Sequence, residues 1–233
     1  MRIDGAVAFV TGANRGLGRA FVQGLLARGV AKVYAGMRAP VATEDGVIPV
    51  QLDITDREQV EAAAALGSDV DIVVNNAGIA TPGRPLTVPL SAVRRDLEVN
   101  VLGPLSVAQA FAPVLAANGG GALVNVLSVM SWVTIPPVSV YAAAKAASWS
   151  LTNALRLQLR GQNTLVVGVF SDSVATGMTA GLDKPMLDAS EVVEPVLDAI
   201  VDGSEEVLVD EYTRTVRAAL HDELRLLYPR QST

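Results

Sequence analysis

One parallel sheet of about seven strands, doubly wound with helices on both faces, is the α/β fold class that this sequence predicts. Three observations predict it. Short apolar runs of strand length alternate with longer stretches at helical spacing along the chain, which is the pattern of repeated βα units. The first apolar run passes directly into a glycine-rich turn and then a helix. The chain has 233 residues, half of them apolar, enough for a single large domain spanning 1–233 with a substantial core.

Composition removes several function classes. Charged residues make up only 18%, so disorder is not expected. The net charge of −6 and the pI near 4.8 argue against a nucleic-acid surface. There is no cysteine and one histidine, His221, which excludes disulfides and thiolate metal sites and leaves no imidazole cluster for zinc or a triad. His221 lies between charged neighbours and reads as a surface residue; no metal site is expected. The N-terminus runs almost directly into a strand without a signal-peptide pattern, and a cytoplasmic protein is expected. From Val99 to Ala144, 46 residues carry no Asp, Glu, Lys or Arg. Pro104, Pro113, the glycines at 119–121 and Pro136-Pro137 interrupt this tract, so no clean apolar span of about 20 residues is expected to cross a membrane. Burial in the fold or against a second subunit explains it instead.

The elements follow in order. Ala6-Val-Ala-Phe-Val10 is the first strand. Thr11-Gly-Ala-Asn-Arg-Gly-Leu-Gly18 is the turn, and Leu17, Phe21 and Leu25 set one face of a helix to Arg28. Gly12, Gly16 and Gly18 permit a tight turn and close approach of a phosphate to the helix N-terminus, whose N–H groups lack partners. Lys32 to Met37 is the second strand. It ends in Arg38 rather than an acidic residue, and Arg15 sits in the turn; two guanidinium groups suit a 2′-phosphate and hence NADP over NAD. Ala39 to Gly46 is too short for a regular crossover helix. Val47 to Leu52 is the third strand. Asp53 either faces an adenine or caps the loop, and Asp56 caps a helix from Arg57 to Leu66. Asp71 to Val74 is the fourth strand, ending in Asn75-Asn-Ala-Gly78.

A long helix follows from about Pro89 to Ala117, with bends expected at Pro104 and Pro113 and with Asn100 inside, where a buried polar role is expected. Ala122 to Leu127 is the fifth strand and Ser128 stands just past its end. The next helix, after Val138, carries Tyr141 and Lys145 four residues apart on one face. It is apolar almost all round, so a partner subunit is the natural cover for its outer side. Leu165 to Phe170 is the sixth strand, Ser171 to Ala189 an irregular loop, Ala189 to Asp202 a helix, Glu206 to Val209 the last strand, and about 212–228 a docked terminal helix.

An ammonium close to a phenol lowers the phenol pKa from about 10, which tunes a tyrosine for proton transfer. On these motifs in this order, the sequence resembles the short-chain dehydrogenase/reductase family in its single-domain form. The glycine turn is similar to the family's T-G-x-x-x-G-x-G motif, Asn75–Gly78 to its N-N-A-G, and Asn100, Ser128, Tyr141 and Lys145 to its catalytic tetrad. The resemblance implies a Rossmann-type fold and hydride transfer between nicotinamide, NADP(H) preferred, and a ketone or aldehyde, or a secondary alcohol in reverse. It implies that Tyr141 is the acid or base, that Lys145 depresses its pKa and bonds the nicotinamide ribose, that Ser128 bonds the substrate oxygen, and that Asn100 holds a water leading to Lys145. Cofactor contacts are expected from Gly12, Asn14, Arg15, Gly16, Leu17, Gly18, Arg38, Asp53, Ile54, Asn75, Ala77, Gly78, Tyr141, Lys145, Val174 and Thr176. Family habit implies a homodimer or homotetramer.

Ser171-Asp172 replaces the family's Pro-Gly after the sixth strand, putting a carboxylate near the expected nicotinamide position. Met130, Trp132, Val133, Ile135, Met178 and Leu182 suggest an apolar or aromatic substrate wall. Two alternatives stand beside this reading. A non-enzymatic NADP sensor or scaffold is one, kept open by Asp172. A dehalogenase-like relative is the other; that group uses arginine in place of the lysine and lacks the dinucleotide loop, so Lys145 and the glycines count against it.

Overall fold

The architecture was obtained as a computed structural model, which describes residues 1–181, 183 and 185–221. Seven parallel strands form one sheet: β1 (Val7–Thr11), β2 (Lys32–Met37), β3 (Val47–Gln51), β4 (Ile72–Asn75), β5 (Gly121–Val126), β6 (Thr164–Phe170) and β7 (Glu206–Leu208). Their spatial order is β3-β2-β1-β4-β5-β6-β7. The chain therefore winds outward from β1 in one direction, then returns to β4 and winds outward in the other. Between β1 and β4 lies the switch point, where sheets of this kind leave a crevice at the strands' C-terminal ends. Pro49 is tolerated within β3 because β3 is an edge strand.

Helices α1 (Gly16–Ala27), α2 (Arg57–Leu66), α3 (Leu90–Leu97), α4 (Gly103–Ala117), α5 (Ser139–Leu159), α6 (Ala189–Asp202) and α7 (Glu211–Ala218) complete the described chain. Both sheet faces are covered. Phe21, Leu25, Val196 and Ile200 from α1 and α6 pack against one. Val60, Val107, Phe111 and Leu159 from α2, α4 and α5 pack against the other, with Phe9, Leu123 and Val166 of the sheet. No helix lies between β2 and β3, as the short spacing predicts. Asp56 caps α2, accepting the N–H groups of Glu58 and Gln59.

The long helix differs from expectation in a useful way. Neither proline ends the helical run: Pro104 falls at the start of α4, directly after the π turn, and Pro113 sits inside α4. The departure from α geometry is instead a wide π turn over Glu98–Leu102, joining α3 to α4 without interruption. The helical run Leu90–Ala117 thus has the length and apolarity of a membrane-crossing helix by composition alone, with mean hydropathy 1.5 and a third of that window buried. Its inward face packs on the sheet through Val107, Phe111 and Leu115. The expected terminal helix is seen as α7 followed by a tight turn over Ala219–His221, and its remainder lies outside the described residues. His221 is exposed, as expected.

Phe111 is 1% exposed and its ring lies 4.7 Å from that of Phe9, so it anchors the helix that carries Asn100 onto the sheet. Phe111→Ala is expected to cost about 3–5 kcal/mol, read as a drop in the urea midpoint. A loss below about 1 kcal/mol would mean that α4 is not fixed by this contact.

Candidate active site

The switch point is tied together by one hydroxyl. Thr11 at the end of β1 donates to the carbonyl of Val74 across the sheet (3.3 Å) and accepts the backbone N–H groups of Asn76 and Ala77 (3.0 Å each). The Asn76 amide returns the bond, donating to the carbonyls of Thr11 (2.9 Å) and Gly12 (3.3 Å). The two loops that flank the crevice are thereby locked in register. A Cβ on Gly18 would lie 2.2 Å from the Gly12 carbonyl oxygen, so glycine alone permits this packing. Gly16 has φ +52, and a Cβ there would come within 3.1 Å of Thr176. The loop after β6 therefore closes down on the glycine turn, bringing Thr176 and the buried Val174 to the crevice.

The start of α1 is open for an anion. No side chain caps it, and its first turn carries no acidic residue, so its N–H groups and positive dipole end face the crevice unopposed. These features fit the pyrophosphate of a dinucleotide. Asn14, Arg15 and Arg38 are exposed at the rim, Leu17 is partly buried, and Ala77 and Gly78 are half-exposed beside them. Asp53 accepts the N–H (3.0 Å) and hydroxyl (2.7 Å) of Thr55. Those bonds, led by the backbone one and helped by the nearby Arg38 charge, hold its carboxyl below the usual range against burial. Ile54 is buried against Gly103.

The four residues expected to act together are brought together. Ser128 follows β5 and its hydroxyl accepts the Met130 N–H at 3.2 Å. It lies 3.5 Å from the Ser171 carbonyl, too far for a strong bond. The same hydroxyl lies close enough to the Tyr141 phenol to favour its ionised form. One turn along α5, the Lys145 ammonium lies 5.6 Å from the centre of the Tyr141 ring and donates to the Val126 carbonyl at 2.7 Å. Asn100 sits in the π turn. Its amide accepts the Ile79 N–H (3.2 Å) and donates to the Ile79 carbonyl (2.9 Å) and to Asp96 (3.0 Å). Its own carbonyl accepts the Ser148 hydroxyl at 2.6 Å. The side chain of Asn100 is thus a brace between the π turn and the loop after β4.

The electrostatics correct one expectation. Lys145 was expected to acidify Tyr141. Burial instead pushes the phenol up to about 12, opposed by the Ser128 hydroxyl and reinforced by the Asp96 charge, although part of the ring keeps contact with solvent. Burial also lowers Lys145 to about 8, with the Asp96 charge resisting. The ammonium donates to the Val126 carbonyl, and burial is the leading influence on both groups.

Behind the tetrad runs a polar ladder that the sequence did not reveal. Asn75 donates to the Pro104 carbonyl (3.1 Å) and to Asn125 (3.0 Å), Asn125 donates to Thr152 (3.0 Å), and Thr152 donates to the Ser148 carbonyl (2.8 Å). Asn75 is 4% exposed and its side chain braces the sheet against α4 and α5. Its remaining oxygen has no protein partner and lines a cavity of about 20 Å³ shared with Asn100, Lys145 and Ser148. That volume holds one water. An asparagine inside the apolar run 122–127 is the signal that would have revealed Asn125, since buried amides are uncommon in strands.

The apolar wall is also redistributed. Ile135 and Met178 are exposed and Met130 is half-buried, while Leu182 lies outside the described residues. Trp132 and Val133 turn inward. Trp132 stacks on Phe170 at 4.2 Å, meets Trp149 edge-on at 6.0 Å, and is covered by Arg217 of α7. Asp172 is half-buried; its N–H donates to Asp210, the cap of α7, at 2.8 Å, and its carboxylate accepts the Ser173 hydroxyl at 3.4 Å.

Comparison with known proteins bears on this geometry. Residues 6–186 match the sequence model of the short chain dehydrogenases. An uncharacterized oxidoreductase of Myxococcus xanthus is 32% identical over 216 residues, covering 86% of this chain and 85% of that one. A crystal structure of a short chain dehydrogenase from Burkholderia cenocepacia in complex with NADP is 36% identical, with TM-score 0.94 over the whole of both chains. A short chain dehydrogenase/reductase from Burkholderia phymatum in complex with NAD, 24% identical, covers 100% of this chain and 99% of that one with TM-score 0.87, and adds the likeness of fold alone.

The two shifted groups give stability a pH signature. Between about 8 and 10.5 the unfolded chain holds a proton on Lys145 that the folded chain has lost, so stability rises with pH in that window. Above pH 10 the folded chain keeps the Tyr141 proton that the unfolded chain loses, and stability falls. Across the first window, wild type is expected to gain up to ~3 kcal/mol relative to Lys145→Met in urea unfolding. Parallel curves for the two proteins would refute the buried ammonium.

Proposed function

Because this chain belongs to the short-chain dehydrogenase family, we propose that its oxidoreductase activity is the NADP(H)-dependent reduction of a ketone or aldehyde, with oxidation of the secondary alcohol as the reverse. The observation that carries this reading is the Tyr141 phenol beside the Ser128 hydroxyl and one helical turn from the buried Lys145 ammonium, at the crevice whose glycine turn suits a dinucleotide. The cofactor, when bound, supplies the hydride. The chain supplies everything else.

Ser128 and Tyr141 hold the substrate oxygen between two hydroxyls, stabilising the charge that grows on it. Tyr141 then gives that oxygen its proton, a role that a phenol held protonated through the neutral range can perform. The Lys145 ammonium stabilises the phenolate left behind and offers its free protons to the nicotinamide ribose. Reprotonation follows through a water at Asn100; the small cavity that Asn100 and Lys145 share supports this role. Gly12, Asn14, Gly16, Leu17, Gly18, Ala77 and Gly78 embrace the dinucleotide, with Asp53, Ile54 and Asn75 at the adenine and strand side and Val174 and Thr176 at the nicotinamide side. Arg15 and Arg38 select the 2′-phosphate; the NADP bound by the Burkholderia cenocepacia relative favours the same choice.

Ile135 and Met178, exposed apolar side chains of the segments after β5 and β6, favour a hydrophobic or aromatic substrate. The active form we propose is a homodimer or homotetramer of this one domain. Exposed Leu102 and Leu157, on the helical layer formed by the π turn, α4 and α5, support a second copy as the cover.

Purified protein is expected to oxidise NADPH with a panel of hydrophobic ketones and aldehydes. Tyr141→Phe should lower turnover at least about 100-fold while NADPH binding, followed by fluorescence, stays within a few-fold. Binding without turnover across the panel in wild type would instead favour a sensor. NADPH is expected to give the higher kcat/KM than NADH, and Arg38→Ala should narrow the gap by about tenfold. An intrinsic preference for NADH would overturn the roles given to Arg15 and Arg38.

A further inference from the structure

Asp96 is the one acidic side chain among the described residues that is wholly buried, with no exposed surface. It lies on the last turn of α3, four residues before Asn100, and one of its oxygens accepts the Asn100 amide at 3.0 Å. The other oxygen is buried and has no hydrogen-bond partner. A carboxylate so placed is expensive, because half of its acceptor capacity is stripped of water and left unmatched. An asparagine would brace Asn100 equally well and at a lower cost. What the carboxylate adds is charge.

That charge reaches the site. It acts on both Lys145 and Tyr141, favouring the ammonium on one and the neutral phenol on the other. Among the described residues, Asp96 is the one charge that acts on Lys145. Its cavity is lined by Asn75 of β4, Asn125 of β5, Pro104 and Leu105 of α4, and Ser148 and Thr152 of α5, all uncharged. Among the described residues, the other titratable group against it is Tyr141 of its own helix. The one protein bond from the ammonium is to the Val126 carbonyl, a neutral acceptor that leaves its charge without a directly bonded counter-ion.

We propose that Asp96 is a positioning residue of the site: it fixes the Asn100 amide with one oxygen and serves, through its charge, as the counter-ion that keeps the buried Lys145 side chain an ammonium. This deepens the reductase reading above and rests on it for its catalytic meaning. The phenol stays loaded with its proton until the substrate oxygen takes it, and the cation that stabilises the resulting phenolate is already in place. The arrangement biases the site toward proton delivery, the reducing direction.

The chain contains three lysines, Lys32, Lys145 and Lys184, so selective 13Cε-lysine labelling gives three NMR signals, assigned with Lys32→Arg and Lys184→Arg. In the full chain without added ligand, the Lys145 signal is expected to titrate near pH 8. In Asp96→Asn its midpoint should fall by about one pH unit or more, the effect of removing a nearby opposite charge. Asp96→Glu should move it back toward the wild-type position. In NADPH-driven carbonyl reduction, the alkaline loss of activity should shift to lower pH in Asp96→Asn by the same amount, which loss of a purely structural brace would not cause.

An unchanged Lys145 midpoint in folded Asp96→Asn would overturn the proposal. A shifted midpoint in a protein that reduces no carbonyl would leave the counter-ion standing and remove the reductase reading. Should Asp96→Asn fail to fold, Asp96→Ser, read by the same Lys145 titration, decides; an unchanged midpoint there would overturn the counter-ion role.

Discussion

A lysine ammonium in the interior must be held by something, and much of the surrounding architecture follows from how this chain holds Lys145. Water is excluded, so the charged form is disfavoured and the group sits near pH 8 rather than above 10. One proton goes to the carbonyl of Val126 at the end of β5, one residue beyond the last pair of β5 with β4, Asn75–Asn125. The position of α5 is therefore set against the sheet by a polar contact as well as by apolar packing. Tyr141 and Ser128 take their places from the same two elements.

The second requirement is that every other polar group in that region be satisfied. Asn75, Asn125, Thr152 and Ser148 hand hydrogen bonds from the sheet across to α5, and Ser148 continues them to the carbonyl of Asn100. The π turn explains why that carbonyl can accept a side-chain bond: widening the helix at Glu98–Leu102 disturbs the regular backbone pattern at the point where Asn100 must turn its amide toward Ile79. A strained helical turn, a buried amide and a buried carboxylate at Asp96 are thus one arrangement. Locally each costs stability; together they present a cation, a phenol and a hydroxyl on a rigid wall.

The opposite wall of the crevice is built on different physics. Thr11 and Asn76 clamp the loops of β1 and β4 through backbone groups, and the absence of a side chain at Gly18 lets those loops meet the uncapped start of α1. Rigid hydrogen bonding and empty volume do here what buried charge does across the crevice. The inward turn of Trp132 onto Phe170 under Arg217 belongs to neither wall. It docks α7, and through Asp210 it fixes the loop that carries Asp172.

Periodicity and turn chemistry were enough to read the strands, most helix bounds and the switch point, because those depend on spacing along the chain. They also placed the glycine turn, Ser128, Tyr141 and Lys145, whose separations are local or fixed by a single strand–helix unit. The sequence placed one long helix through Pro104 and Pro113 but could not tell that its departure from α geometry would be a π turn at Glu98–Leu102. Nor could it tell that Trp132 would face inward, which the neighbours from β6 and α7 decide. Least of all could it give the balance at Tyr141. Spacing four residues apart puts a phenol and an ammonium on one face, but whether attraction or desolvation wins depends on how much water the fold removes and on a carboxylate, Asp96, delivered from a different helix. Those are properties of the packed structure, because they arise between groups far apart in the chain.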